Sequence, residues 1–356
     1  MPFYQNLNGK TQEDRRTIER LLRLREVLND TIPERTQSRT ILLATWNIRD
    51  FDKSKYGYRL DESMYYIAEI IDRFDIVAVQ EVYKDLTALN RLMRLLGGHW
   101  DYIFSDATEG QKGNSERMAY LFDTRKVKFG GMVGELVLPS EKRDGEYVNV
   151  DQVWRTPLMC GFKAGWARFV LTSVHIQWGS DKPDSPKRVK EIRAVAQFLK
   201  KRTEDPNAWA RKMVLLGDFN IFNTADPTFA ELMEAGFTAP LELEGINSNV
   251  KGDRSYDQIV FREKENSMEC LSAGTVDFFD LLFTLDDLPI YESYLKDYVD
   301  GKKTTKKKWK DRTTKERLRY YKDWRTHQIS DHKPLWVELK VDYADAYLER
   351  KLRGSV

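Results

Sequence analysis

Two patterns of apolar residues alternate along the chain. Short apolar runs, four to seven residues long, read as buried strands. Longer stretches in which apolar residues return every three or four positions read as amphipathic helices. The runs predict strands over 41–47 (ILLATWN), 75–81 (DIVAVQE), 168–175 (RFVLTSVH), 213–220 (MVLLGDFN), 255–261 (SYDQIVF) and 334–341 (PLWVELKV). Further strands are expected near 102–105, 118–122, 133–138 and 158–162. The helical period predicts helices over 11–29, 61–74 and 86–96, the last stopped by Gly97-Gly98. Another starts at Ser185-Pro186, with proline in the first turn, and runs to about 201; a short one covers 227–235. Residues 276–299 mix acidic and aromatic side chains without an assignable period, and 315–324 has helical character.

This alternation, with no internal repeat and no Pro/Gly/Ser linker, predicts an α/β fold. A chain of 356 residues can form one large domain or two. The expected division is a tail and amphipathic helix over 1–39, one domain over 40–341 with a basic insertion at about 296–325, and a C-terminal tail over 342–356.

The polar residues that end the strands carry the candidate chemistry. Four strands end on Asn47, Glu81, His175 and the pair Asp218/Asn220, and Asp331-His332 stands just before the last strand. Side chains two apart on an extended chain share a side, so Asp218 and Asn220 are expected next to each other at a strand mouth. The chain has only four histidines, His99, His175, His327 and His332, and two fall at these boundaries. Carboxylates, amides and imidazoles gathered on one rim suit a divalent cation with acid–base chemistry on a phosphoester. No Walker loop, G-x-S-x-G elbow or H-E-x-x-H helix offers another engine. Asp50 and Asp52 follow Asn47 closely and read as solvated loop residues rather than ligands.

Five motifs occur in the order of the endonuclease/exonuclease/phosphatase superfamily: 45–48 (TWNI), 79–82 (VQEV), 217–220 (GDFN), 256–260 (YDQIV) and 330–335 (SDHKPL). Over about residues 40–340 the chain resembles that superfamily, and within it the deoxyribonuclease I type. The resemblance implies a four-layer α/β sandwich: two mixed sheets packed face to face, helices outside, one site at the open end. It implies that Glu81 is the main ligand of Mg²⁺ or Mn²⁺, with Asn47 and Asp331 completing the metal environment. By the same resemblance Asp218 orients or deprotonates the attacking water, and Asn220 holds the scissile phosphate. His332 stabilises charge on the phosphate, its tautomer fixed by Asp257. His175 matches the second histidine of the deoxyribonuclease I type, Glu116 its carboxylate partner, and Arg155 a phosphate-contacting arginine. Leu216 stands where inositol polyphosphate 5-phosphatases carry tryptophan.

Charge narrows the substrate. Total net charge is only +2, but residues 296–325 hold thirteen Lys/Arg and five Asp/Glu, a local excess of eight, leaving the remainder at −6. Trp309, Tyr320, Tyr321 and Trp324 are interleaved with these bases. One reading has cations tracking phosphates and rings stacking on unpaired bases. The other is a solvated charged helix with its rings in the core. The expected activity is a divalent-metal-dependent nuclease cleaving DNA or RNA. The alternative is a phosphatase or phosphodiesterase on a small-molecule or lipid headgroup ester, of the inositol-phosphate or sphingomyelinase type. Two cysteines leave no disulfide framework, the first 20 residues lack an apolar core, and no run approaches the ~20 residues that span a bilayer. These features predict a cytoplasmic protein with no integral membrane segment and no disulfide-linked partner; set beside the resemblance to deoxyribonuclease I they imply an intracellular, bacterial relative, and the basic segment points to nucleic acid as substrate.

Overall fold

The computed structural model describes residues 1–51, 56–109, 115–263, 268–302 and 307–354. In chain order these form α1 (Gln12–Thr31), β1 (Thr40–Phe51), α2 (Asp61–Ile71), β2 (Ile76–Tyr83), α3 (Thr87–Leu96), β3 (Trp100–Phe104), β4 (Glu116–Asp123) and β5 (Lys128–Glu135). A hairpin of β6 (Glu141–Arg143) and β7 (Glu146–Val148) leads to β8 (Leu158–Ala164), β9 (Ala167–His175), α4 (Pro186–Glu204), β10 (Met213–Asp218), α5 (Pro227–Glu234) and β11 (Asp257–Arg262). The chain ends with β12 (Cys270–Thr275), α6 (Leu288–Gly301), α7 (Thr314–Gln328), β13 (Leu335–Lys340) and α8 (Ala344–Leu352).

The strands build a six-stranded sheet, order β12-β13-β1-β2-β4-β3, and a five-stranded sheet, order β11-β10-β9-β8-β5. Pairs β1/β2 and β9/β10 run parallel and the other pairs antiparallel, so both sheets are mixed. Between the sheets, Leu43, Ala78, Tyr120 and Val337 of the first meet Phe162, Leu171, Leu216 and Ile259 of the second. The alternate residues of β1, Leu42, Ala44 and Trp46, face the other way and pack under α1, α2, α6 and α7. Helices α4 and α5 cover the outer face of the second sheet. The central strands are buried on both faces, which is why they read as continuous apolar runs rather than alternations. The result is the expected four-layer sandwich.

Helix α1 joins this body through charge as well as apolar contact. Arg16 of α1 reaches Glu62 of α2 at 3.0 Å, and Arg25 reaches Glu69 at 2.8 Å. Both glutamates are almost wholly buried, so the arginines also complete the burial of α2.

Two expectations are corrected, one unassigned stretch gains its helix, and one open choice is decided. The strand expected over 133–138 lies at Lys128–Glu135, because its glycines pack where Trp209 covers Gly130 rather than following an apolar period. The stretch 276–299 contains most of α6, whose buried face is Tyr291, Leu295 and Val299. The C-terminal segment expected as a tail contains α8. Finally, Trp309, Tyr321 and Trp324 are 2%, 0% and 0% exposed and pack with Phe283 and Tyr291. They are core, not a base-stacking platform. The bases Lys308, Lys310, Lys315, Arg319 and Lys322 point outward, while Lys303 and Lys306 lie outside the described residues.

Candidate active site

The parallel strands β1 and β2 of one sheet and β9 and β10 of the other bring Asn47, Glu81, His175 and Asp218 to the same end of the sandwich. Beneath them a polar seam joins the sheets: Gln80 Nε2 donates to Ser173 Oγ at 2.9 Å and to Thr45 Oγ1 at 3.1 Å. Buried partners of this kind fix one relative setting of the two sheets.

Three backbone features aim the side chains. Glu81 has φ +63° at a register shift between β2 and its neighbours, so its carboxylate turns out of the pleat. Asn220 has φ +54°, and its backbone N–H donates to Asp218 Oδ1 at 2.8 Å. Gly217 has φ +132°, and a Cβ there would lie 2.1 Å from the Val174 carbonyl oxygen, so only glycine lets β10 meet β9 here.

Asn47 is the junction. Its Nδ2 donates to Glu81 Oε1 and to Asp218 Oδ2, both at 3.0 Å. Its Oδ1 is buried with no hydrogen-bond partner. Asp218 Oδ2 lies 3.6 Å from His175 Nε2 and 3.8 Å from His332 Nε2, so the carboxylate stands between two imidazoles. Each imidazole has its own carboxylate behind it. His332 Nδ1 bonds Asp257 Oδ2 at 2.7 Å. His175 Nδ1 is 3.2 Å from Glu116 Oε2, out of line for a good hydrogen bond. Glu116 in turn accepts Arg155 Nε at 2.6 Å. Asn220 Nδ2 donates to the Ile176 carbonyl at 2.7 Å. Asp331 sits at the mouth with its side chain 44% exposed, 3.8 Å from Arg49 Nε, and Arg49 is anchored to Thr326 on α7. The structure therefore brings all ten sequence-selected residues to one end of the molecule. Asp50 lends Glu81 only its backbone N–H, at 2.7 Å, and Asp52 lies outside the described residues.

The electrostatics follow from crowding. Burial pushes the Glu81 carboxyl above its ordinary value, and the neighbouring carboxylates Glu116 and Asp331 push it further, against the pull of His175. Burial alone would lower His332, but Asp257 and Asp218 hold its imidazole well above the usual histidine range. The charged form of the His332 imidazole is thereby favoured.

A divalent cation fits the oxygen side of this array. Asn47 Oδ1 is a buried acceptor without a donor, and Glu81 stands among carboxylates whose mutual repulsion a hard cation relieves. Asp218, Asp257 and His332 also offer atoms within 4.8 Å of one another. Those three suit a metal less well, because a protonated His332 is occupied by Asp257 and has no lone pair to give.

Sequence reasoning missed three supports. Ser330 Oγ accepts the backbone N–H groups of His332 and Arg49 and donates to the Asn47 carbonyl, stitching both strand ends together. Ser248 Oγ accepts the Asp257 N–H at 2.9 Å. Trp46 Nε1 donates to the His332 carbonyl at 2.9 Å. Ser330 had a signal, since it opens the SDH motif; Ser248 had none.

No family model matches the chain, and no curated protein matches its sequence. Solved structures do match the fold. An endonuclease/exonuclease/phosphatase family protein from Bacteroides thetaiotaomicron is similar at 17% identity and a TM-score of 0.53, over 85% of this chain and 98% of that one. A mannosyl-6-phosphatase from the same organism gives 17% identity and 0.53, over 84% of this chain and 99% of that one. The human Nocturnin catalytic domain gives 13% and 0.50, over 84% and 94% respectively. The chain therefore has the four-layer fold of the endonuclease/exonuclease/phosphatase proteins, with the residues that carry its sequence resemblance to that superfamily gathered at one end of the sandwich.

Proposed function

We propose that the protein is a divalent-metal-dependent phosphoester hydrolase, and specifically a nuclease. The observation that carries the reading is Asp218, held between two imidazoles that are each backed by a carboxylate. Asp218 Oδ1 accepts the Asn220 N–H and Oδ2 accepts Asn47 Nδ2; Oδ2, which also faces both imidazoles, is the oxygen placed to orient water and take its proton. His332, kept protonated by Asp257 and Asp218, donates to a phosphoryl oxygen as negative charge grows there. Glu81, Asn47 and Asp331 would hold Mg²⁺ or Mn²⁺, which when bound neutralises phosphate charge. Glu116 sets His175, Asn220 sits beside the phosphate, and Arg155 adds positive charge behind Glu116.

The nuclease reading rests on the outward bases of α7 and the turn before it. The C-terminal half of α7 touches Arg49, next to Asp331, so the helix that carries these bases ends beside the site, with Lys322 the base one turn from that contact. A basic face follows a polymeric anion and serves a small ester poorly. A small-molecule phosphatase is the second reading, favoured by the narrowness of the cleft among Glu81, Glu116, Arg155 and His175. Among the described residues no helix is long and apolar enough to cross a membrane, and Cys160 and Cys270 are free; a cytoplasmic location belongs to the same proposal.

The test is hydrolysis of plasmid, single-stranded DNA, RNA, a sugar phosphate and a phosphoinositide, with Mg²⁺, Mn²⁺ or EDTA. Metal-dependent cleavage of a nucleic acid that weakens steeply with salt supports the reading. Turnover of only the small esters transfers it to a phosphatase.

A further inference from the structure

A run of aromatic rings leads from the site to solvent. Tyr256 lies 5.6 Å from the His332 imidazole between ring centres. Trp178 lies 5.6 Å from Tyr256 and 5.2 Å from Phe222, and Phe222 lies 5.9 Å from Tyr256. The three follow or precede site residues directly in the chain: Trp178 comes three after His175, Phe222 two after Asn220, Tyr256 one before Asp257. Phe222 is 8% exposed and Trp178 is 40% exposed, so the indole is the part that meets solvent.

The indole is held in place rather than loose. Its Nε1 donates to Asp181 Oδ1 at 2.9 Å. Arg188, fully buried, donates to the carbonyls of Trp178 at 2.5 Å, Ser180 at 2.8 Å and Lys182 at 3.3 Å. Its guanidinium also lies over the Trp178 and Phe222 rings, at 5.4 and 4.7 Å. Among the described residues Arg188 makes no ion pair, and its Nε is buried without a hydrogen-bond partner. A buried guanidinium bonded to carbonyls rather than to a carboxylate fixes the loop and places a cation under the rings, with Asp218, Asp226 and Asp181 acting on it from further off. Arg254 lies over Phe222 at 4.9 Å, adding a second cation beside Tyr256.

We propose that Trp178 is the stacking platform for an unpaired nucleobase flanking the phosphate bound at His332, with Phe222 and Tyr256 as its backing and Arg254 near the adjoining phosphate. The proposal rests on the hydrolase reading for the position of the phosphate. It replaces the buried aromatics of 309–324, which cannot serve as such a platform. An exposed indole backed by two further rings, next to the guanidinium groups of Arg188 and Arg254, fits a substrate of alternating planar bases and anionic phosphates.

Binding and cleavage of a labelled single-stranded oligodeoxynucleotide are compared with those of a base-free oligomer of equal length and charge. Fluorescence anisotropy in EDTA reads binding, and initial rates in Mn²⁺ read KM and kcat. Trp178→Ala is expected to weaken binding and raise KM for the base-bearing strand roughly 5- to 100-fold, as for loss of one base stack, leaving kcat and the base-free oligomer unchanged. Trp178→Phe restores most of the loss. Equal effects on both oligomers, or no effect, overturn the platform. Base-dependent binding through Trp178 without cleavage of any phosphoester overturns the hydrolase reading and leaves the platform standing. Failure of the wild type to distinguish the two oligomers overturns the platform while cleavage upholds the hydrolase.

Discussion

Asp257→Asn removes the charge behind His332 while keeping the side chain's shape. The pair is buried and 2.7 Å apart, so the lost interaction is a hydrogen bond between charged groups, worth about 1.5–3 kcal/mol net. The His332 imidazole should therefore titrate lower in the variant, because the anion that holds it charged is gone. The sign of the stability effect is set by the raised imidazole. His332 titrates above its unfolded value near 6.5, so the pair contributes its full stability below about pH 6.5 and loses it as pH rises through the folded value. The variant should therefore be most destabilised near pH 6 and approach the wild type at high pH. Its rate should fall ~10²-fold at neutral pH, since the group that meets the phosphoryl oxygen is no longer held charged. Urea unfolding at several pH values, with the His332 ring proton followed by NMR, measures all of this. A His332 titration unchanged by the substitution, or a destabilisation of equal size at every pH, would refute the reasoning.

The other expected outcomes follow from the same geometry. Gly217→Ala forces a methyl into the Val174 carbonyl and should cost several kcal/mol of stability, on the order of an overpacked core, or yield no folded protein; a wild-type melting temperature would contradict it. Glu81→Gln should weaken Mn²⁺ binding by at least ~10-fold in a titration of the free protein while leaving the fold intact, because the charge that a cation relieves is gone. Neutralising Lys308, Lys310, Lys315, Arg319 and Lys322 together should flatten the salt dependence of nucleic-acid binding by up to about 0.7–0.9 for each phosphate that then goes unneutralised, read from binding against salt concentration; an unchanged slope would remove this face from the interface.

The sequence made the central strands legible because their residues are apolar on both faces and end on polar groups. Leu43 and Leu216 face the opposite sheet while Leu42 and Leu215 face helices, and a short apolar run ending in a turn suits that setting. The convergence of Asn47, Glu81, Asp218 and His332 was legible for the same reason, since parallel neighbours end at one edge and the antiparallel β13, which follows His332, begins there. What was hidden depends on backbone detail. The positive φ of Glu81 turns its carboxylate to Asn47, and no residue type at 81 announces that. Ser248 reaches Asp257 from a loop that has no period. The ambiguity of 309–324 could not be resolved from residues alone. Two tryptophans, Trp309 and Trp324, set among lysines suit either a stacking surface or a helix pinned to a core. Thr313 and Glu316 decide the start of α7 by capping each other, and the helix then turns Tyr321 and Trp324 onto Tyr291. The exposed indole beside the site is on another loop, at Trp178.

The central claim is that Asp218 handles the proton of the attacking water. The direct measurement is the metal-dependent phosphodiesterase rate of Asp218→Asn, prepared alongside the wild type and matched in melting temperature. The amide can keep its oxygen for the Asn220 N–H, turns an NH2 group toward the Asn47 Nδ2 donor, and cannot take a proton. A loss of ~10²–10⁴ in kcat, with Mn²⁺ still bound, is the expected result. A folded Asp218→Asn that cleaves at the wild-type rate would contradict it.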